Sequence, residues 1–350
     1  MSAVKRNLLI FLCMICSALV VFMLYAIVPE PNRVKNGFIR ANLKHKVSII
    51  KSMAIEHDGY YIAGLSKTKI YLGNYNAQLH LLILDYKLRD TQQITLRLDT
   101  IPKTRLLKLV VDSPHVFLYE GVGPTLYKSN LPNYSLNTYF GKTASFIAGI
   151  PLNEHSMIVR AYDGINKKTD LYKVSNDSSG VVRFTKNILE KQVDGILCCT
   201  GSFNFNRDAG KIVYVYRYRN QFICMDTGLN VLYKAETIDT NTVAKISVSD
   251  TDTESTLDAA SLTINNISCI SDSLIFVSSN LMGDNESIVE YNKSNSIDVY
   301  SLRDGKYLYS FGLPKYQENS IKDIDVFEDK LVAIYKNRII IYRLLNKNVY

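Results

Sequence analysis

The chain has 350 residues, 47% of them hydrophobic, which excludes a disordered protein and is enough for one large core or two small ones. It carries 24 tyrosines, no tryptophan and few prolines or glycines, a composition that favours strands over helices. The formal charge of +8 comes from 41 basic and 33 acidic residues scattered singly, which argues against a nucleic-acid partner and fits ordinary surface charge with a slight attraction to anionic lipid.

After a short tail (1–7) containing Lys5 and Arg6, residues 8–28 read LLIFLCMICSALVVFMLYAIV. This uncharged run of about 21 residues is long enough to cross the hydrocarbon core as a helix. It exceeds the roughly 7–15 apolar residues of a secretory signal, and the AIV before Pro29 is a poor cleavage site, so the expectation is an uncleaved signal-anchor rather than a cleaved signal. Arg33, Lys35, Arg40, Lys44 and Lys46 come after the span, and by charge counting they would keep the rest of the chain in the cytoplasm. An anchor beginning this close to the N-terminus commonly exports the remainder of the chain. The expected topology is therefore a single-pass protein of the inner (cytoplasmic) membrane with its folded part periplasmic, and the membrane is its first partner. Pro29, Pro31 and Gly37 then mark a linker over 29–46.

From residue 47 to 350 the chain is periodic. Strands of alternating apolar residues followed by a polar turn and another strand begin at Leu81, Leu126, Leu171, Phe222, Ile297 and Ile339, with spacings of 45, 45, 51, 75 and 42 residues. A second apolar pair precedes each of them, as in SMAIEHDGYYIAGLS around Asp58-Gly59 and NISCISDSLIFVSS around residues 271–273. The one long gap holds an acidic insertion, 239–261, that reads as a loop with one extra strand. Six units of about four antiparallel strands near a 45-residue period match a β-propeller better than a sandwich, and a seventh blade would have to lie in the insertion. A blade cannot bury both faces alone, so the ring must close, and the closing strand is expected within residues 38–50.

The stretch GKYLYSFGLP at 305–314, followed by IKDIDVFEDKLVAIYKNRIIIYRL at 321–344, resembles the blade pattern of six-bladed propeller proteins of bacterial cell envelopes. DGILCCTGSFNF at 194–205 with IVYVYRYRNQFICMDTGLNVLYKAETIDT at 212–240 resembles a group of uncharacterised envelope proteins from Bacteroidota. The resemblance covers the chain after residue 47. It implies a fold and a compartment and brings no catalytic set with it. The Gly-His and Trp-Asp repeat signatures of WD40 propellers are missing.

The chemistry visible in the sequence is sparse. The five histidines have no partner at metal-ligand spacing, and DTDTES at 250–255 fails as a calcium loop because Ser255 and Ser261 stand where Gly and Glu belong. No nucleophile elbow or P-loop is present. No catalytic residue, cofactor or metal is assigned. Cys198 and Cys199 are adjacent; on a strand they would point to opposite faces, and they could pack as buried thiols, bond to each other in an eight-membered ring, or bond to Cys224 or Cys269. In YVYRYRNQF, 214–222, strand alternation puts Tyr214, Tyr216 and Tyr218 on one face and Arg217 and Arg219 on the other, either as blade packing or as contacts to an anionic ligand.

Three functions are consistent with these features. The first is a membrane-anchored, non-enzymatic module that binds another envelope protein, a peptide or a glycan. The second is a hydrolase or lyase on a glycan or peptide, whose mark would be convergent carboxylates or a buried cationic pocket at the channel mouth. The third is a redox-associated envelope protein using Cys198 and Cys199.

Overall fold

The computed structural model describes residues 3–27, 35–41, 46–98, 107–120, 125–140, 145–177, 180–250, 255–257 and 261–345. The chain divides into two units, one ending at Asn36 and the other beginning at Gly37.

The second unit is a six-bladed β-propeller. Its blades open with strands Tyr60–Leu65, Leu107–Asp112, Ala148–Pro151, Gly201–Asn206, Asn265–Ser271 and Asp323–Phe327. Within blades 1 to 5 the strands are hydrogen-bonded in sequence order, and Arg97–Leu98 adds in parallel to the outer strand of blade 2. Opening strands of successive blades lie side by side in blades 1 and 2, 3 and 4, 4 and 5, 5 and 6, and 6 and 1, so these strands form the inner ring and the later ones step outwards. The approach is tight enough to require glycine at one point: a Cβ on Gly64 of blade 1 would come within 1.9 Å of the carbonyl oxygen of Val111 in blade 2.

Strand alternation sends the two faces of each blade to its two neighbours. In blade 4, Ile212, Tyr214 and Tyr216 face blade 3, whereas Val213 and Val215 face blade 5. Six apolar cores result, one for each space between blades. Leu81, Ile83 and Leu109 meet between blades 1 and 2, Phe117 and Met157 between 2 and 3, and Leu171 and Tyr214 between 3 and 4. Phe222 and Ile275 meet between blades 4 and 5, Phe276 and Ile324 between 5 and 6, and Val332, Ile339 and Ile341 meet Leu72 and Leu82 between 6 and 1. The sixth core closes the ring.

The outer strand of blade 6 comes from the other end of the chain. Val47–Ala54 pairs antiparallel with Arg338–Leu344, Val47 lying opposite Leu344 and Ala54 opposite Arg338. This strand begins inside the expected window of 38–50 and runs past its end to residue 54. Residues 52–54, expected in the opening pair of blade 1, are thus the end of the closing strand, and the opening pair is Tyr60–Leu65 with Lys69–Asn74. The insertion forms a small hairpin, Val248–Asp250 with Ser255–Leu257, where one extra strand was expected.

Of the expected linker, 29–34 and 42–45 lie outside the described residues. Residues 37–41 form a strap on blade 5. The Arg40 side chain is fully buried: Nε donates to Asp298 Oδ1 at 2.8 Å, Nη2 to Asp298 Oδ2 at 3.2 Å, and Nη1 to the Leu281 carbonyl at 2.8 Å and to Glu286. The backbone is tied down as well, with Asp284 N donating to Phe38 O and Ser310 N to Ala41 O.

In the first unit Ala3–Ile27 is a helix, and its side chains from Ile10 to Met23 are exposed. Among the described residues no helix is long and apolar enough to cross a membrane. The span expected over residues 8–28 is therefore not supported by the described residues.

Removing one partner of a buried ion pair strands the other. Asp298→Ala should destabilise the propeller by about 3–5 kcal/mol in urea unfolding, and replacing Arg40, Glu286 and Asp298 together by apolar or neutral residues of similar size should recover most of that loss. A loss below about 1 kcal/mol for Asp298→Ala would mean that the strap unfolds separately from the ring.

Candidate functional site

The two ends of the propeller differ chemically. One end carries the connections between second and third strands and those from each fourth strand to the next blade. Among the described residues, every exposed large apolar side chain in a connection between propeller strands is at this end: Tyr75, Ile147, Ile165, Val193, Ile196, Val243, Ile288 and Val289. Ile165 is 93% exposed. Ion pairs occur at both ends, with Lys69–Asp90, Lys128–Glu154 and Arg207–Asp112 at the opposite end and Lys322–Asp58 at the apolar one.

The opening strands begin at the apolar end, and we call the cluster of side chains near their starts the channel mouth. Asp323 and Asp325 alternate with the core residues Ile324 and Val326 on the opening strand of blade 6. Asp323 Oδ2 accepts the Ile62 N–H of blade 1 at 2.8 Å, satisfying an inner-edge amide, and Asp325 Oδ1 accepts Val326 N–H at 2.8 Å. Lys108, on the opening strand of blade 2, stands with Nζ 5.8 Å from the Tyr61 ring centre, and the Tyr61 and Tyr75 rings lie 4.4 Å apart. Tyr61 Oη accepts Leu109 N–H at 2.8 Å, which fixes the ring. Burial pushes the Asp323 carboxyl up to about 6, against the pull of the Ile62 N–H and the Lys108 charge. Burial pushes Asp325 up to about 7, and the Asp323 charge adds to the rise.

Sequence reasoning missed these residues. The available signal was KDIDVF at 322–327, where carboxylates alternate with apolar residues in a strand that otherwise reads as core.

The expected site residues are distributed differently from the strand reading. The strand of blade 4 ends at Tyr216, so alternation stops there and the two arginines part. Arg217 Nη2 donates to Asn266 Oδ1 in blade 5 at 3.1 Å. Arg219 folds back with its guanidinium carbon 3.7 Å from the Tyr216 ring centre and donates Nη1 to the Glu190 carbonyl at 3.2 Å. Its Nε and Nη2 have no hydrogen-bond partner among the described residues. Cys198 and Cys199 lie in a turn rather than on a strand, because Asp194 accepts the N–H groups of Ile196, Leu197 and Cys198. Both thiols are consequently buried in the same core, between blades 3 and 4, with Sγ atoms 3.8 Å apart. Cys224 belongs to the core between blades 4 and 5 and Cys269 to that between 5 and 6, and Cys198, Cys199 and Cys224 are free thiols.

Fold and site define a six-bladed β-propeller with one chemically distinct end. No protein-family model matches the sequence, and no curated protein matches it. Among solved structures the chain is similar to a member of the DUF4221 family from Bacteroides vulgatus, at 12% identity and a TM-score of 0.51 over 86% of this chain and 98% of that one. It is also similar to BamB from Moraxella catarrhalis, at 10% identity and a TM-score of 0.44 over 87% and 99%. A third likeness is to regucalcin, a calcium-binding protein from Agrobacterium tumefaciens, at 10% identity and 0.48 over 88% and 96%. The likeness to the Bacteroides protein is one of fold alone.

An ordinary aspartate titrates near 3.9, so the folded propeller binds extra protons at Asp323 and Asp325 between about pH 4 and 7. Their contribution to stability is full below that window and is lost as the pH rises through it. Asp325→Asn should flatten the fall in Tm across the window; parallel Tm profiles for the two proteins would remove Asp325 from a water-poor site.

Proposed function

We propose that this chain is a non-enzymatic binding module, tethered to the inner membrane by its N-terminal helix, whose propeller stands on the periplasmic side and recognises a segment of another envelope protein. The observation that carries the reading is the gathering of exposed apolar side chains at the end that also holds the channel mouth. Exposed apolar groups spread over several blades suit a protein surface, and the charged mouth at their centre suits a polar anchor from that partner. The tether rests on the apolar run at 8–28 and on Lys5 and Arg6 before it.

Cross-linked capture from native membranes tests this. Ile165→Asp combined with Val243→Asp should reduce capture of the partner at least roughly tenfold, equivalent to about 1.4 kcal/mol. Leu232→Asp, on an outer strand, should leave it unchanged. Equal capture by the unmodified protein and both variants would sink the assignment of this end.

A second reading, a hydrolase or lyase acting on a glycan or peptide, draws on the Asp323–Asp325 pair, since a carboxyl near 7 can serve as a general acid at neutral pH. Turnover of an envelope glycan or peptide that disappears in Asp325→Asn would favour it over simple binding.

A further inference from the structure

We propose that Cys198 and Cys199 form a peroxide-reactive thiol pair that closes reversibly into a vicinal disulfide. The two sulfurs are 3.8 Å apart in one core, and both are free. Gln192 N–H donates to Cys198 Sγ at 3.4 Å, and the turn that carries the pair is fixed by Asp194. The hydrogen bond from Cys199, with the N–H groups of Gln192, Val193 and Gly195, pulls the Cys198 thiol down to about 5. Cys199 is pushed up by the hydrogen bond it shares with Cys198 and by burial, and its Sγ also lies 3.5 Å from the Glu190 carbonyl, so Cys198 is the thiol that gives up its proton more readily. The charge of Arg219 acts on Cys199, and Arg219 Nη1 and Cys199 Sγ both reach the Glu190 carbonyl, at 3.2 and 3.5 Å. Both thiols are fully buried while Val193 and Ile196 of the same connection are exposed, so a small neutral oxidant reaches the pair through local opening of this loop.

The chemistry balances with hydrogen peroxide as oxidant. Cys198 thiolate attacks one peroxide oxygen, the O–O bond breaks, and the leaving hydroxide takes the Cys199 proton to become water. Cys199 thiolate then attacks the Cys198 sulfenic acid, the S–S bond forms and the S–O bond breaks. The second hydroxide takes up the proton that Cys198 had released. Two thiols lose two electrons, and one peroxide gains them as two waters. The sulfur separation must shorten to about 2 Å, a movement that a turn outside the sheet ladder can absorb.

The test uses the reduced full-length chain, treated with hydrogen peroxide, alkylated and mapped by mass spectrometry. The expected product is a peptide containing both cysteines that has lost two hydrogens and regains them with dithiothreitol. It should form at least roughly tenfold faster than any oxidation of Cys224, whose thiol is raised by burial and serves as an internal reference. Cys199→Ser should stop at a sulfenic acid on Cys198. Oxygen addition without loss of two hydrogens in the unmodified protein, or a rate equal to that of Cys224, would overturn the proposal whatever the variant does.

Discussion

The antiparallel pairing of Val47–Ala54 with Arg338–Leu344 is the constraint on which the rest of the propeller depends. It joins segments from opposite ends of the folded unit, and for a loop of roughly 290 residues the logarithmic part of the closure cost is on the order of 5 kcal/mol. Against that, the core between blades 6 and 1 buries Leu72, Val332, Ile339 and Ile341 completely, and each such side chain contributes about 1.5–3 kcal/mol. Closure wins because it completes a core rather than a single strand. The strap continues the same device: Arg40 is held by blade 5, and Leu345 N donates to Lys46 O just before the closing strand begins.

Ring closure also creates the channel mouth. Lys108 and Asp323 belong to blades 2 and 6, far apart in sequence, yet each acts on the other's titration because both opening strands flank blade 1. Asp323 and Asp325 hold their protons to higher pH where the inner strands crowd out water, and Asp323 satisfies an amide that blade 1 leaves open at its inner edge. Structural and chemical roles thus fall on the same side chain.

Much of the fold was legible in the sequence because a blade repeats its hydrophobic pattern. The expected starts at Leu81, Leu126, Leu171, Phe222, Ile297 and Ile339 all fall in third strands, the blade positions buried on both faces. The closing strand was harder to place because its pattern is weak: it lies at the rim, with Ile49 exposed and only one side covered. The channel mouth was illegible for another reason, since convergence between blades is set by the ring and leaves no spacing in the chain.

The arginines and cysteines show where strand logic fails locally. Alternation predicts faces only while the ladder continues, and it ends at Tyr216 before Arg217 and Arg219. At 194–198 a carboxylate takes over the backbone: Asp194 gathers three N–H groups, which turns the chain and brings both thiols to one side. Asp170 does the same for Ile188 and Leu189 a few residues earlier. Side-chain capping by aspartate competes with strand pairing for the same donors, and in the connection between blades 3 and 4 it prevails, so the two thiols of this connection are positioned by aspartate carboxylates rather than by the sheet.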